Sequence, residues 1–151
     1  MNMNLFFQNI CNKKIRCALP ILSFPAIQQL SVSVNETLHS AELQAKVMEV
    51  IAQQTDTIAA VSLMDLSLEA EAFGARIIFH EDEVPSITGQ LITSEEDADK
   101  LLVPDLSSGR IPLAIEAIRQ AKEMITDKPV LAGIIGPFSL AGRLMYVTEI
   151  M

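Results

Sequence analysis

The chain has 151 residues, 50% of them hydrophobic and 20% charged, which is the composition of one globular domain with a core of its own. Its net charge of −8 argues against nucleic acid or an anionic membrane surface, since both attract basic patches, and favours a small molecule or another protein as partner. No apolar run approaches the roughly 18–20 residues that cross a bilayer, and the N-terminus is too polar for a signal peptide, so the cytoplasm is the expected compartment.

Residues 4–14 can form a short helix with Leu5, Phe6, Asn9 and Ile10 on one side. Ala18 to Phe24 is an apolar run that reads as a first strand, with Pro20 near its start, where a strand tolerates the missing donor, and Pro25 at its end. Ser31 to Leu38 reads as polar and irregular. Ser40 is a plausible N-cap, and Leu43, Val47, Val50 and Ile51 then fall on one helical face. Thr57 to Leu63 is a continuous apolar strand, as expected when both faces of a sheet are covered. Leu66 to Phe73 follows as a short helix, which Gly74 can end by taking a left-handed backbone.

Arg76 to Phe79 reads as a further short strand, followed by the acidic turn Glu81-Asp82-Glu83 and Pro85. Thr93 and Glu96 have the spacing of a capping box, so a helix is expected through about Leu102. Pro112 suits a first helical residue, and Ile111, Ala114, Ile115, Ile118 and Ile125 trace an apolar stripe. Val130 to Ile135 is expected as the third buried strand, and Gly136-Pro137-Phe138-Ser139 turns into a final helix running to Met151.

This order is the rhythm of parallel α/β architecture, with strands joined through covering helices. A (β/α)₈ TIM barrel takes about 250 residues, so residues 1–151 are expected to hold a partial domain: the N-terminal half of one such barrel, its C-terminal half missing. The strand from Val130 would then have an unpaired edge through which the chain could self-associate.

Asp65 is the leading candidate for chemistry, because it ends an apolar strand where parallel α/β proteins place their sites. Its carboxylate could equally cap the helix starting at Leu66. Glu69, four residues on, can share a face with Asp65, and paired carboxylates do acid–base work; a helix start enriched in acids explains Glu69 and Glu71 as well. The turn Gly136–Ser139, with Phe138, opens a helix after a strand and can present backbone N–H groups to an anionic or carbonyl group, or simply be a tight connection. Ser23 ends the first strand in the equivalent place and could line a mouth. His80 beside Glu81, Asp82 and Glu83 reads as a solvated acidic turn, and Cys17 as a small buried residue without a base. With Cys11, Cys17, His39 and His80 alone, neither a disulfide framework nor a zinc set is expected of this chain.

Four segments together resemble the uroporphyrinogen decarboxylase superfamily, which includes corrinoid-dependent methyltransferases that methylate a thiol such as coenzyme M. They are Leu19–Pro25, Asp65–Gly74, Glu83–Ser86 and Gly133–Ala141, in the family's order. The resemblance implies a (β/α)₈ barrel with its site at the C-terminal mouth, and places the decarboxylase's catalytic aspartate on Asp65. Where the decarboxylase carries substrate-holding arginines, this chain has Ala26-Ile27-Gln28-Gln29-Leu30, and where it carries a catalytic tyrosine, Arg143. Carboxylates want charge-assisted partners, so the methyltransferase branch is the closer match. That branch implies zinc and a corrinoid for the whole enzyme, with the zinc ligands in the second half of the barrel. It also implies a small-molecule substrate, with a corrinoid protein as possible partner. The expected activity is methyl transfer from a corrinoid to a thiol acceptor; the alternatives are a decarboxylase of porphyrin biosynthesis and an inactive fragment or assembly partner.

Overall fold

The computed structural model describes residues 2–14, 16–21, 23–146 and 148. Helix α1 (Met3–Cys11) starts where the Asn2 side chain accepts from the N–H groups of Asn4 and Leu5, two of the donors every helix start leaves open. The strand expected over 18–24 is reduced to one parallel bridge, Ala18 to Thr57. Phe24 already opens α2 (Phe24–Leu30), with Pro25 in the first turn, where its missing N–H costs no helical bond. Leu22, within the expected strand, lies outside the described residues.

Residues 31–38 are not irregular: they contain α3 (Val34–Leu38). Ser33 Oγ accepts the Glu36 N–H at 3.0 Å and Glu36 Oε2 accepts the Ser33 N–H at 2.8 Å, a complete capping box. A five-residue helix is too short to show a 3.6-residue period, and only the cap betrays it.

Helix α4 (Ala41–Gln54) is capped by Ser40, as expected, and buries two faces. Ala45, Met48 and Ala52 pack with Ala121 and Ile125 of the later segment around α7 (Ile111–Met124). Val47, with Val50 and Ile51, packs on Ala26, Ile27, Val34 and Leu38. Alanines at the α4–α7 contact let the two backbones approach closely, and the expected α7 stripe turns accordingly. Ala117 and Ala121 are buried, whereas Ile115 is exposed.

The parallel element is short. β1 (Ala60–Val61) pairs with β4 (Val130–Leu131) in the register Ala60 to Val130, and the Ala60 and Ser62 N–H groups donate to the Pro129 and Leu131 carbonyls at 2.8 and 3.0 Å. Both strands are fragments of the longer runs expected over 57–63 and 130–135. Among the described residues, the other edge of β4 carries no strand.

Between them lie α5 (Leu68–Ala72), a two-stranded ribbon and α6 (Glu95–Asp99). The expected strand at Arg76 does not join the parallel sheet. It is β2 (Arg76–Ile78), paired antiparallel with β3 (Ser86–Thr88), an element too short and polar to stand out in sequence. The α6 cap is Ser94 rather than Thr93: Ser94 Oγ accepts the Asp97 N–H, while Asp97 Oδ2 accepts the Thr93 N–H and hydroxyl. The helix ends at Asp99, short of Leu102. Helix α8 (Pro137–Leu144) closes the described fold, and its Leu144 carbonyl receives the Leu91 and Ile92 N–H groups, with Ala70, Ile92 and Leu144 buried together. The helix does not run on toward Met151 as expected: it stops at Leu144, because Met145 takes an extended backbone, and residues 147 and 149–151 lie outside the described residues.

Candidate functional site

Asp65 lies in the turn between β1 and α5, at the C-terminal end of the parallel strand. It does not cap the helix at its first residue, because α5 starts at Leu68, not Leu66. Its Oδ1 instead accepts from the Ser67 N–H at 2.9 Å and the Ser67 hydroxyl at 2.6 Å, an Asx turn that sets the backbone ahead of the helix. Its other oxygen meets a residue 45 positions away: Arg110 Nη1 donates to Asp65 Oδ2 at 2.6 Å.

Arg110 is the hub of the site. Its Nε donates to Glu71 Oε2 at 2.6 Å and its Nη2 to Ser67 Oγ at 3.0 Å, and its Cζ sits 4.8 Å from the Phe79 ring centroid. The side chains of Arg110 and Asp65 are 8% and 7% exposed, so this ion pair is sheltered from solvent screening, and the 23% exposed Glu71 sits at its rim. One guanidinium between two carboxylates leaves a negative group whose hydrogen-bonding directions are fixed. Gly109, next to the hub, has φ +53, and a Cβ there would lie 3.3 Å from Glu71 Cγ. Only glycine meets both conditions without strain.

Arg110 was not distinguishable by motif, yet it carries a physical signal. It occupies the N-cap position of the 14-residue α7, where the helix dipole disfavours a cation. A cation there calls for carboxylates nearby, and Asp65 and Glu71 are those carboxylates.

A cavity of about 250 Å³ opens beside Asp65 and is lined mainly by apolar side chains, among them Phe24, Leu63, Met64 and Val84. Ser23 shares this wall with Asp65, so the structure brings these two expected residues together. Ser23 makes no side-chain capping bond to α2. Glu69 does not pair with Asp65: its Oε1 accepts the Ile135 N–H at 3.0 Å, which ties α5 to the segment entering the Gly136 turn. Glu71, which the sequence explains as one acid of a helix start, is the carboxylate that joins Asp65 at the hub. Gly136 is the N-cap residue of α8, and Phe138 and Ser139 on its first turn are exposed and do not line the Asp65 cavity.

His80 Nε2 lies 2.9 Å from Ser86 Oγ, across the β2–β3 ribbon. Among the described residues, no three His, Cys, Asp or Glu side chains cluster in a way that could hold a metal ion. The donor set for zinc is therefore not supplied by these residues. No helix among them is long and apolar enough to cross a membrane.

An α/β fold with parallel strands, and an aspartate fixed at the end of one of them, define a class that comparison with known proteins identifies. The uroporphyrinogen decarboxylase (URO-D) family matches residues 21–149, and the chain belongs to that family. Its similarity lies with the methyltransferases of the family. It is 37% identical over 79 residues to a methylcobamide:CoM methyltransferase of Methanosarcina acetivorans, covering 51% of this chain and 23% of that protein. It is 27% identical over 124 residues to a methylated-thiol–coenzyme M methyltransferase of Methanosarcina mazei, covering 77% of this chain and 33% of that protein. A solved structure of a methyltransferase from Methanosarcina mazei superposes with a TM-score of 0.76 at 26% identity, over 88% of this chain and 40% of that one. The chain thus spans between 23% and 33% of the length of these two curated relatives.

Proposed function

We propose that this chain supplies one side of the site of a methyltransferase that moves a methyl group from a corrinoid to a thiol acceptor, built on the N-terminal half of a (β/α)₈ barrel. The observation that carries the reading is Asp65. It is held rigidly by Arg110 and Ser67 at the C-terminal end of β1, on the wall of a small apolar cavity, in a chain whose relatives are named as methyltransferases.

The corrin macrocycle is far larger than the 250 Å³ cavity. The cavity suits only a methyl-bearing group or the short chain of an acceptor, and the exposed apolar side chains of Ile21, Phe24 and Val84 at its edge suit the face of the ring. The corrinoid, when bound, supplies the methyl group as an electrophile. Asp65 and Ser23 orient the small group beside it: the carboxylate accepts a donor and the hydroxyl offers or accepts one. The apolar walls exclude water from the transfer. Glu69 holds the segment entering the turn of Gly136, Phe138 and Ser139, and that turn, outside the cavity, offers the exposed Phe138 to the incoming partner. Zinc, implied by the resemblance, would take its ligands from the other side of the site.

A carboxylated tetrapyrrole is the weaker reading, because the one buried arginine beside Asp65 has Nε, Nη1 and Nη2 engaged within the chain. To test the proposal, this chain is co-expressed with the C-terminal two thirds of the Methanosarcina mazei methylated-thiol–coenzyme M methyltransferase. Loss of the methylcobalamin spectrum on adding a thiol, abolished by Asp65→Ala, is the expected result. A stable complex of the two pieces without methyl transfer would overturn the reading and leave an assembly partner without catalysis.

A further inference from the structure

At the opposite end of the same parallel strands lies a larger cavity, of about 810 Å³, between α1 and the segments that enter β1 and β4. It is ringed by Lys13, Lys14, Arg16 and Lys128, against only Asp56 and Asp127. In a chain with eleven cations and nineteen carboxylates, this is a local reversal of sign. Phe6, Ile10 and Ile58 supply an apolar wall.

Two of the four cations have an ordinary explanation. Lys13 and Lys14 follow the C-terminus of α1, whose dipole favours positive charge. Arg16 and Lys128 do not share it. Lys128 is fixed in place: its Nζ donates to the Ala52 carbonyl at 2.5 Å and lies 3.3 Å from Asp127. Lys13, Lys14 and Arg16 make no ion pair among the described residues. Lys13, Lys14 and Arg16 are exposed at the rim of a half-apolar cavity where cations outnumber the two carboxylates, and the resulting positive potential favours an anion there. The volume is that of a drug-sized ligand rather than of a bare ion.

We propose that this cavity binds a phosphorylated small organic molecule, its phosphate on Lys14 and Arg16 and its flat apolar body against Phe6 and Ile10. Guanidinium and ammonium groups are suited to phosphate oxygens, and the apolar wall distinguishes such a ligand from free phosphate. The site is separate from Asp65 and does not depend on methyl transfer.

ATP serves as probe, titrated calorimetrically into the chain at low ionic strength, beside adenosine and tripolyphosphate. The proposal expects one saturable ATP site per chain, weaker binding of both fragments, and at least about tenfold loss of ATP affinity in the double variant Lys14→Gln, Arg16→Gln. Phe6→Ala should weaken ATP while leaving tripolyphosphate unchanged. Amide shifts on ATP addition should map to residues 6–18, 56–58 and 127–128. Absence of saturable binding, tripolyphosphate binding as tight as ATP, or undiminished affinity in the folded double variant would each overturn it. So would sedimentation showing a dimer that the double variant dissolves, since a second copy would then cover this face.

Discussion

Arg110 and Asp65, 45 residues apart in sequence, face each other at 2.6 Å in a pair whose side chains are 8% and 7% exposed. The pair is the joint between the loop after β1 and the start of α7. Removing the cation alone leaves Asp65 and Glu71 close together and uncompensated, the costly way to break a buried ion pair. Arg110→Met should lower unfolding stability by about 3–5 kcal/mol, read from urea midpoints. Arg110→Lys should recover part of the loss: one ammonium reaches one carboxylate but cannot span Asp65, Ser67 and Glu71 as the planar fork does.

Gly109 tests whether the backbone beside the hub is as constrained as the side chains. With φ +53 and Glu71 Cγ 3.3 Å from the place of a Cβ, Gly109→Ala meets left-handed strain and a tight contact at once. A loss of about 1–2 kcal/mol is expected from the backbone strain alone. Glu71 can move only by loosening its bond to Arg110, so a double-mutant cycle of Gly109→Ala with Glu71→Gln should show coupling rather than additivity.

These two residues also mark where sequence reading stops. The long helices, the Ser40 cap, the Gly74 stop and the place of Asp65 were legible, because each rests on a period or a cap within a few residues. Gly74 has φ +101, as a helix stop requires. The family resemblance, carried by separated segments, was legible as well. Helix α3 and strand β3 were not, since five and three residues carry too little period to register. Strand lengths were overestimated because apolar runs report burial, and only tertiary pairing decides how much of a run becomes a ladder. The partner of Asp65 was hidden for a different reason. Long-range ion pairs leave no spacing rule, and the one local trace of Arg110, a cation at a helix start, gains meaning only beside its carboxylates.

A surface pair on α7 gives the protein a pH signature separate from the site. Arg119 grips Glu116 with two bonds, Nη2 to Oε1 at 2.6 Å and Nε to Oε2 at 2.8 Å. With a further bond from Gln120, this holds the Glu116 carboxyl at about 2, below its ordinary 4.5. A carboxyl depressed in the folded state contributes stability that is fully present above its unfolded value and is lost as pH falls toward the folded one. Here that window runs from 4.5 down to about 2. The pair lies on the solvent-facing side of the helix, so salt should shrink the effect. In an NMR titration the Glu116 midpoint should rise toward 4.5 in Arg119→Gln or in high salt; a wild-type midpoint already near 4.5 would show that the bidentate grip does not persist in solution.

The bond between Glu69 and the Ile135 N–H ties α5 to the segment entering the Gly136 turn, beside the apolar packing of Ala70 against Leu140 and Leu144. Ile135 lies four residues beyond the end of β4 and belongs to no strand among the described residues. Its amide should therefore owe its protection to the Glu69 carboxylate. A hydrogen bond to a charged acceptor contributes about 1.5–3 kcal/mol, so Glu69→Ala should speed exchange at Ile135 by about ten- to a hundredfold. Glu69→Gln keeps an acceptor oxygen and should retain most of the protection. If both variants exchange like the wild type, the turn is held by its own backbone. Glu69 would then have no part in aiming Phe138 and Ser139.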